Sequence, residues 1–158
     1  MKLYIKQKVF SWGDKFSVVD ASGQPRYHVE GEIFSWGKKL HVYDVQGNER
    51  VYIRQKVMSW RPRFFVYVDG REVAEVVKEF GFFTPVYSVN GLGWEIEGDF
   101  WAHEYMVTER RRPVVAISKQ WFTWGDSYVL NILRPSDELP ALAVVLAIDC
   151  AVAQQESG

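Results

Sequence analysis

Three consecutive arginines, Arg110-Arg111-Arg112, stand between Glu109 and Pro113. Three neighbouring guanidiniums at a hairpin tip cannot all share one partner. Exposed, they offer forked donors that match phosphate oxygens or an acidic lipid headgroup. Each basic group near an anionic surface contributes about 1 kcal/mol. Arg61 and Arg63 flank Pro62 in a second turn and could do the same. Both clusters have a plain alternative as solvated turns. Asp149 poses a different question, because it is the one polar residue in an apolar segment near the C-terminus. A buried carboxylate is costly unless it is paired or hydrogen-bonded. It would then either anchor that segment, through a backbone N–H, a Trp indole or an inward Arg or Lys, or form the polar floor of a lumenal pocket.

Catalytic patterns are absent from the sequence. It has no Gly-x-Ser-x-Gly elbow, no phosphate-binding Gly-rich loop followed by Lys-Ser/Thr, and no His-Glu-x-x-His. His28, His41 and His103 each read as strand histidines without a spaced partner. Trp94-Glu95-Ile96-Glu97-Gly98-Asp99 alternates acids along one strand face, which reads as a solvated face rather than an acid/base pair. Cys150 is the only cysteine, so no disulfide and no cysteine-built zinc site can form within the chain. No acidic calcium-loop pattern is present. No catalytic, cofactor-binding or metal-ligating residue is assigned, and no cofactor is expected. The formal charge of −1 supplies no global basic field for nucleic acid. The lone thiol suits a reducing compartment, hence a cytoplasmic protein. The N-terminus, Met1 to Lys8, reads as a first strand and not as a signal peptide.

The elements that must hold these residues repeat along the chain. Phe10-Ser11-Trp12-Gly13 returns as Phe34-Ser35-Trp36-Gly37, as Met58-Ser59-Trp60 and as Phe122-Thr123-Trp124-Gly125. Trp12, Trp36 and Trp60 are 24 residues apart, and stepping on by about the same interval reaches Phe82-Phe83, then Trp101, then Trp124. Each unit reads as a hairpin: Tyr4 to Phe10 runs out and Phe16 to Asp20 returns. Gly13-Asp14, Gly37-Lys38 and Gly125-Asp126 suit tight tips, since Gly accepts positive φ. Arg61-Pro62 demands another turn there. Lys6 and Lys8, Glu30 and Glu32, and Arg54 and Lys56 occupy equivalent positions, so their sign alternates from unit to unit. Were these strands neighbours, the charges would pair across them; the alternative is that Lys6, Lys8, Arg54 and Lys56 form a ligand-binding patch. The aromatic share of 16% agrees with strands. Six units imply about twelve strands over residues 1–134, a closed barrel or a sandwich.

Pro135-Ser136-Asp137 ends the last strand and offers a helix start, with Pro140 tolerated in the first turn. Twelve of the thirteen residues from Ala141 to Ala153 are Ala, Leu, Val, Ile or Cys, so this helix has no polar face. At 1.5 Å per residue it is roughly 20 Å long, short of a hydrocarbon core of about 30 Å. A barrel of twelve strands has a radius of roughly 12 Å, too wide for its own side chains to fill. A helix about 10 Å across fills that space. The expectation is a mainly β, closed, roughly twelve-stranded antiparallel barrel of six hairpins around a central apolar helix at 137–154, one domain spanning residues 1–158.

The repeated Phe-Ser-Trp-Gly hairpins, Tyr52-Ile53-Arg54-Gln55-Lys56-Val57 and the run Leu142 to Asp149 resemble the LURP-one-related family. The resemblance covers nearly the whole chain. It implies the tubby-like fold shared with the phospholipid scramblases, a twelve-stranded barrel around a central helix. Tubby-type members bind phosphoinositide headgroups through basic surface residues. The cysteine-rich acylation segment and calcium-binding stretch of scramblase-like members are not visible here. The resemblance therefore implies a non-enzymatic binding or adaptor domain, cytoplasmic and peripheral to a membrane. Its partner would be an anionic phospholipid or a protein; no family site transfers residue by residue, so the candidates remain those read from the residues themselves, Arg110, Arg111, Arg112, Arg61 and Arg63 for anion binding and Asp149 as a structural or pocket residue. An enzyme whose site assembles only in the fold, or a carrier of a small apolar ligand, are the alternatives.

Overall fold

The computed structural model describes residues 1–6, 15–32, 36–81, 86–100, 102–122 and 125–156. The strands are β1 (Lys2–Lys6), β2 (Lys15–Asp20), β3 (Pro25–Gly31), β4 (Lys39–Asp44), β5 (Glu49–Gln55), β6 (Arg63–Val68), β7 (Arg71–Glu79), β8 (Val86–Asn90), β9 (Trp94–Asp99), β10 (Glu104–Glu109), β11 (Arg112–Phe122) and β12 (Gly125–Ile132). Each is antiparallel to its sequence neighbours, and β1 closes on β12 to complete a twelve-stranded barrel. The helix α1 (Glu138–Glu156) follows a 3-10 turn over Pro135–Asp137, so it starts one residue later and runs two residues further than 137–154. Closure leaves no unpaired sheet edge.

Alternation decides which face of each strand turns inward. Leu3, Tyr27 and Val51 are buried at the 24-residue spacing, and so are Ile5, Val29 and Ile53. The repeat extends to backbone detail. Register shifts fall between Val18 and Val19, Val42 and Tyr43, and Val66 and Tyr67. Asp20 Oδ1 accepts from the amides of Ser22 and Gln24, and Asp44 Oδ1 accepts from those of Gln46 and Asn48. Gly23 and Gly47 then take φ of 81° and 86°, the left-handed position that such bulged hairpins need. These turns all lie at one end, termed the bulge end. The connections that follow odd-numbered strands lie at the other, the Trp end.

From Ala141 to Ile148 every residue of α1 is fully buried, and Cys150 and Ala151 are too. The helix packs against β5, β6 and β7 and touches β12. Each buried Leu, Ile or Val there is worth roughly 1.5–3 kcal/mol. At the bulge end, Glu138 receives Arg26 Nε at 2.7 Å and the Tyr27 hydroxyl at 2.7 Å. At the Trp end, Gln55 Nε2 donates to Gln154 Oε1 at 2.9 Å. The helix α1 thus runs from one mouth of the barrel to the other.

Two sequence expectations change. Gly125 and Asp126 belong to β12, so the last tip is not built on that pair. The alternating charges do not pair in the sense foreseen, because β2 and β4 separate β1, β3 and β5. Glu30 meets Lys15 of β2 at 3.7 Å instead, and Glu32 meets Lys39 at 3.8 Å and His41. The expected tip at Trp12-Gly13-Asp14, and Lys8, Phe82-Phe83, Trp101 and Trp124, lie outside the described residues.

Candidate functional site

The two arginine clusters stand at opposite ends of the barrel. Arg110 and Arg111 form the β10–β11 connection at the bulge end, whereas Arg61 belongs to the β5–β6 connection at the Trp end. Glu109 pairs with Arg112, which leaves a two-residue loop with both φ angles positive, 49° and 64°. That geometry normally selects Asn-Gly. All three arginines are exposed, and none pairs with a carboxylate among the described residues. Glu109 itself turns away to Arg134, 3.1 Å distant.

Arg61 and Arg63 are committed locally. Arg61 Nη1 donates to Glu79 Oε2, and Arg63 Nη1 lies 2.7 Å from Glu75 Oε1. Both acids sit on β7, so these pairs tie β6 to its neighbour. Lys56 and Lys78 flank them without a carboxylate partner among the described residues, and Lys56 is exposed. Around the β5–β7 tips the cation excess is therefore carried by Lys56 and Lys78, while the exposed acids Glu97, Asp99 and Glu104 flank the β9–β10 connection at the same end.

Beside these lysines the Trp end exposes large apolar side chains. Trp36 is 87% exposed, Met58 96%, Trp60 98% and Phe80 84%. They come from the three successive connections β3–β4, β5–β6 and β7–β8. A groove of about 380 Å³ opens between the β5–β6 tip and the end of α1, lined by Gln55, Lys56, Met58, Trp60, Arg61 and Gln154. The Ser-Trp repeat had marked these tips as turn chemistry only. A Trp placed between two strand runs has no inward face to occupy, and that was the available signal for display.

Among the described residues, Asp149 meets no Arg, Lys or Trp side chain. Tyr128 Oη of β12 donates to Asp149 Oδ2, and His103 Nε2 lies 3.4 Å from Oδ1. The His103 ring stacks on Tyr128 at 4.3 Å and 14°. His103 is not in a strand: it lies in the β9–β10 connection with φ of 52°. His41 also has partners, Glu32 at 2.7 Å and Glu49 at 2.9 Å. Glu95, Glu97 and Asp99 are exposed as expected. Burial, with Asp149 nearby, holds the Tyr105 and Tyr128 phenols well above their usual range and pushes the Cys150 thiol up. Burial also lowers Lys38 from the ordinary lysine value. His, Asp and Tyr could relay a proton, but Tyr128, Asp149 and Cys150 are 2%, 6% and 0% exposed, so the carboxyl is closed to a substrate. The Tyr128–Asp149 hydrogen bond links α1 to β12.

No group of three or more His, Cys, Asp or Glu among the described residues could hold a metal ion. No helix among them is long and apolar enough to cross a membrane.

Comparison with known proteins agrees with this architecture. The uncharacterized protein YxjI of Bacillus subtilis (strain 168) is 38% identical over 156 residues, 99% of this chain and 96% of that one. An Arabidopsis thaliana protein with an X-ray structure superposes with a TM-score of 0.63 at 16% identity, over 94% of this chain and 90% of that one. This second likeness concerns the fold. The family model described as LURP-one-related matches residues 1–149, and the chain belongs to that family.

Proposed function

We propose that this barrel is a non-enzymatic binding domain that acts as an adaptor at anionic phospholipid surfaces, on the cytoplasmic side of a membrane. The observation that carries the reading is the charge balance around the β5–β7 tips. Arg61 and Arg63 are matched by Glu79 and Glu75, and Lys56 and Lys78 are left in excess. Each uncompensated cation contributes about 1 kcal/mol beside an anionic leaflet and acts within a Debye length of roughly 10 Å. The barrel itself needs no ligand to complete its core, since α1 fills it.

Co-flotation with vesicles tests this. Binding is expected to phosphatidylcholine vesicles containing phosphatidylserine, to fall steeply as salt rises, and to be lost with Lys56→Glu/Lys78→Glu. No flotation with acidic vesicles at low salt would overturn the reading.

A further inference from the structure

We infer that the Trp end is a membrane-insertion rim: Trp36, Met58, Trp60 and Phe80 enter the interfacial layer of a bilayer, and the barrel stands on it end-on. The inference rests on the anionic-surface reading above and adds the depth and orientation of docking.

Four apolar side chains at 84–98% exposure are far from ordinary surface scatter. The other exposed large hydrophobics, such as Val45 and Leu133, reach only 58% and 53%. The four come from three separate connections at one end of one barrel, so they share the face that this end presents. Met58 takes a φ of 59°, uncommon for a residue other than glycine, and is 96% exposed. Protruding tips suit a soft medium that closes around each one, whereas a protein partner favours a continuous, complementary patch. Trp is the side chain enriched at the boundary between headgroups and hydrocarbon. Lys56 and Lys78 stand just behind the rim, where lysine reaches phosphates while its stem lies along apolar surface. Charge and apolar character thus fall in the order in which a bilayer presents phosphate and acyl chain.

The opposite end lacks this order. Its turns carry Asp20, Asp44 and Asp69, each with internal partners, together with the exposed Arg110 and Arg111. In an end-on pose the arginine turn lies a barrel length from the lipid. With strands of five to eleven residues, roughly 3.3 Å each, that distance exceeds a Debye length. Arg110–Arg112 would then contribute nothing to binding this membrane.

The test places an environment-sensitive NBD label at either end of the full chain, at Met58→Cys or Arg111→Cys, with Cys150→Ala removing the native thiol. On vesicles of phosphatidylcholine and phosphatidylserine, the label at 58 is expected to shift to the blue and brighten, and to be quenched by brominated acyl chains. The label at 111 is expected to stay aqueous. Trp36→Ser/Trp60→Ser is expected to weaken vesicle partition by about tenfold or more while circular dichroism and melting remain unchanged. Co-flotation with the label at 58 still aqueous and the Trp variant unaffected overturns insertion and leaves the anionic-surface reading standing. Loss of flotation by the unmutated chain at low salt removes both. A blue shift at 58 that follows protein concentration without vesicles overturns insertion by showing that a second copy covers the rim.

Discussion

Tyr128 on β12 donates a hydrogen bond to Asp149 on α1, from the barrel wall to the central helix, and His103 approaches the other oxygen of the same carboxyl at 3.4 Å. Tyr105 lies close enough to feel the same charge, but its buried hydroxyl has no hydrogen-bond partner among the described residues. Two tyrosines beside one carboxylate therefore differ in what they contribute. Tyr128→Phe leaves Asp149 short of a partner and should cost about 1–3 kcal/mol. Tyr105→Phe removes an unsatisfied hydroxyl and should be neutral or stabilising. Urea unfolding of both variants checks this, and equal losses would contradict the assignment.

His41 offers both ring nitrogens to carboxylates, Nε2 to Glu32 and Nδ1 to Glu49. Only the imidazolium can donate from both. Burial alone would lower its pKa, but the bonds and charges of Glu49 and Glu32 together outweigh burial and raise it above 6.5. With the folded value raised, the stabilisation is fully present below the unfolded pKa and is lost as pH rises through the folded one. Melting temperature should fall across that interval in the unmutated chain, and His41→Gln should abolish that part of the slope. Melting curves from pH 5.5 to 8.5 provide the measurement.

Cys150 sits in α1 at 0% exposure with its thiol pushed up by burial. Native protein should react with a thiol reagent no faster than it unfolds, and 6 M guanidinium should release the reaction at once. The rate in mild denaturant should track the unfolding rate. Rapid labelling of the native chain would show that the helix leaves the lumen easily.

Gly98 approaches β10 so closely that a Cβ would lie 2.5 Å from the Glu104 carbonyl oxygen and 2.6 Å from Tyr105 Cα, at φ of 129°. Backbone atoms cannot step aside as a flexible side chain can. Gly98→Ala should cost about 2–4 kcal/mol, measured by denaturant unfolding. Gly23→Ala, where nothing lies within 4 Å but φ is 81°, should cost less, about 1 kcal/mol.

The barrel was legible because two independent signals shared one geometric solution. The 24-residue spacing of Trp12, Trp36 and Trp60 counted the hairpins, and the run from Ala141 to Ala153 demanded an interior. Local turn chemistry was less legible. Gly125-Asp126 has the composition of a tip yet lies in β12 and pairs with Phe122 and Trp121 of β11, because strand register is set by the whole β11–β12 ladder. The partners of Asp149 were hidden for another reason. His103 and Tyr128 are 46 and 21 residues from it in sequence, and no local pattern encodes which wall faces a given helix position. Tyr128 did carry a hint, since it shares inward parity with Leu130 and Ile132 and its hydroxyl must find a partner inside. The arginines were legible as charges. Their separation to opposite ends followed only from the alternation of hairpin connections around a closed barrel.

Amide hydrogen exchange with and without vesicles of phosphatidylserine and phosphatidylcholine bears most directly on which end meets the membrane. Slower exchange is predicted at residues 36–38, 56–62 and 78–80 on adding vesicles, with residues 109–112 unchanged. Protection confined to the arginine turn, with the Trp end exchanging as freely as before, would contradict the account.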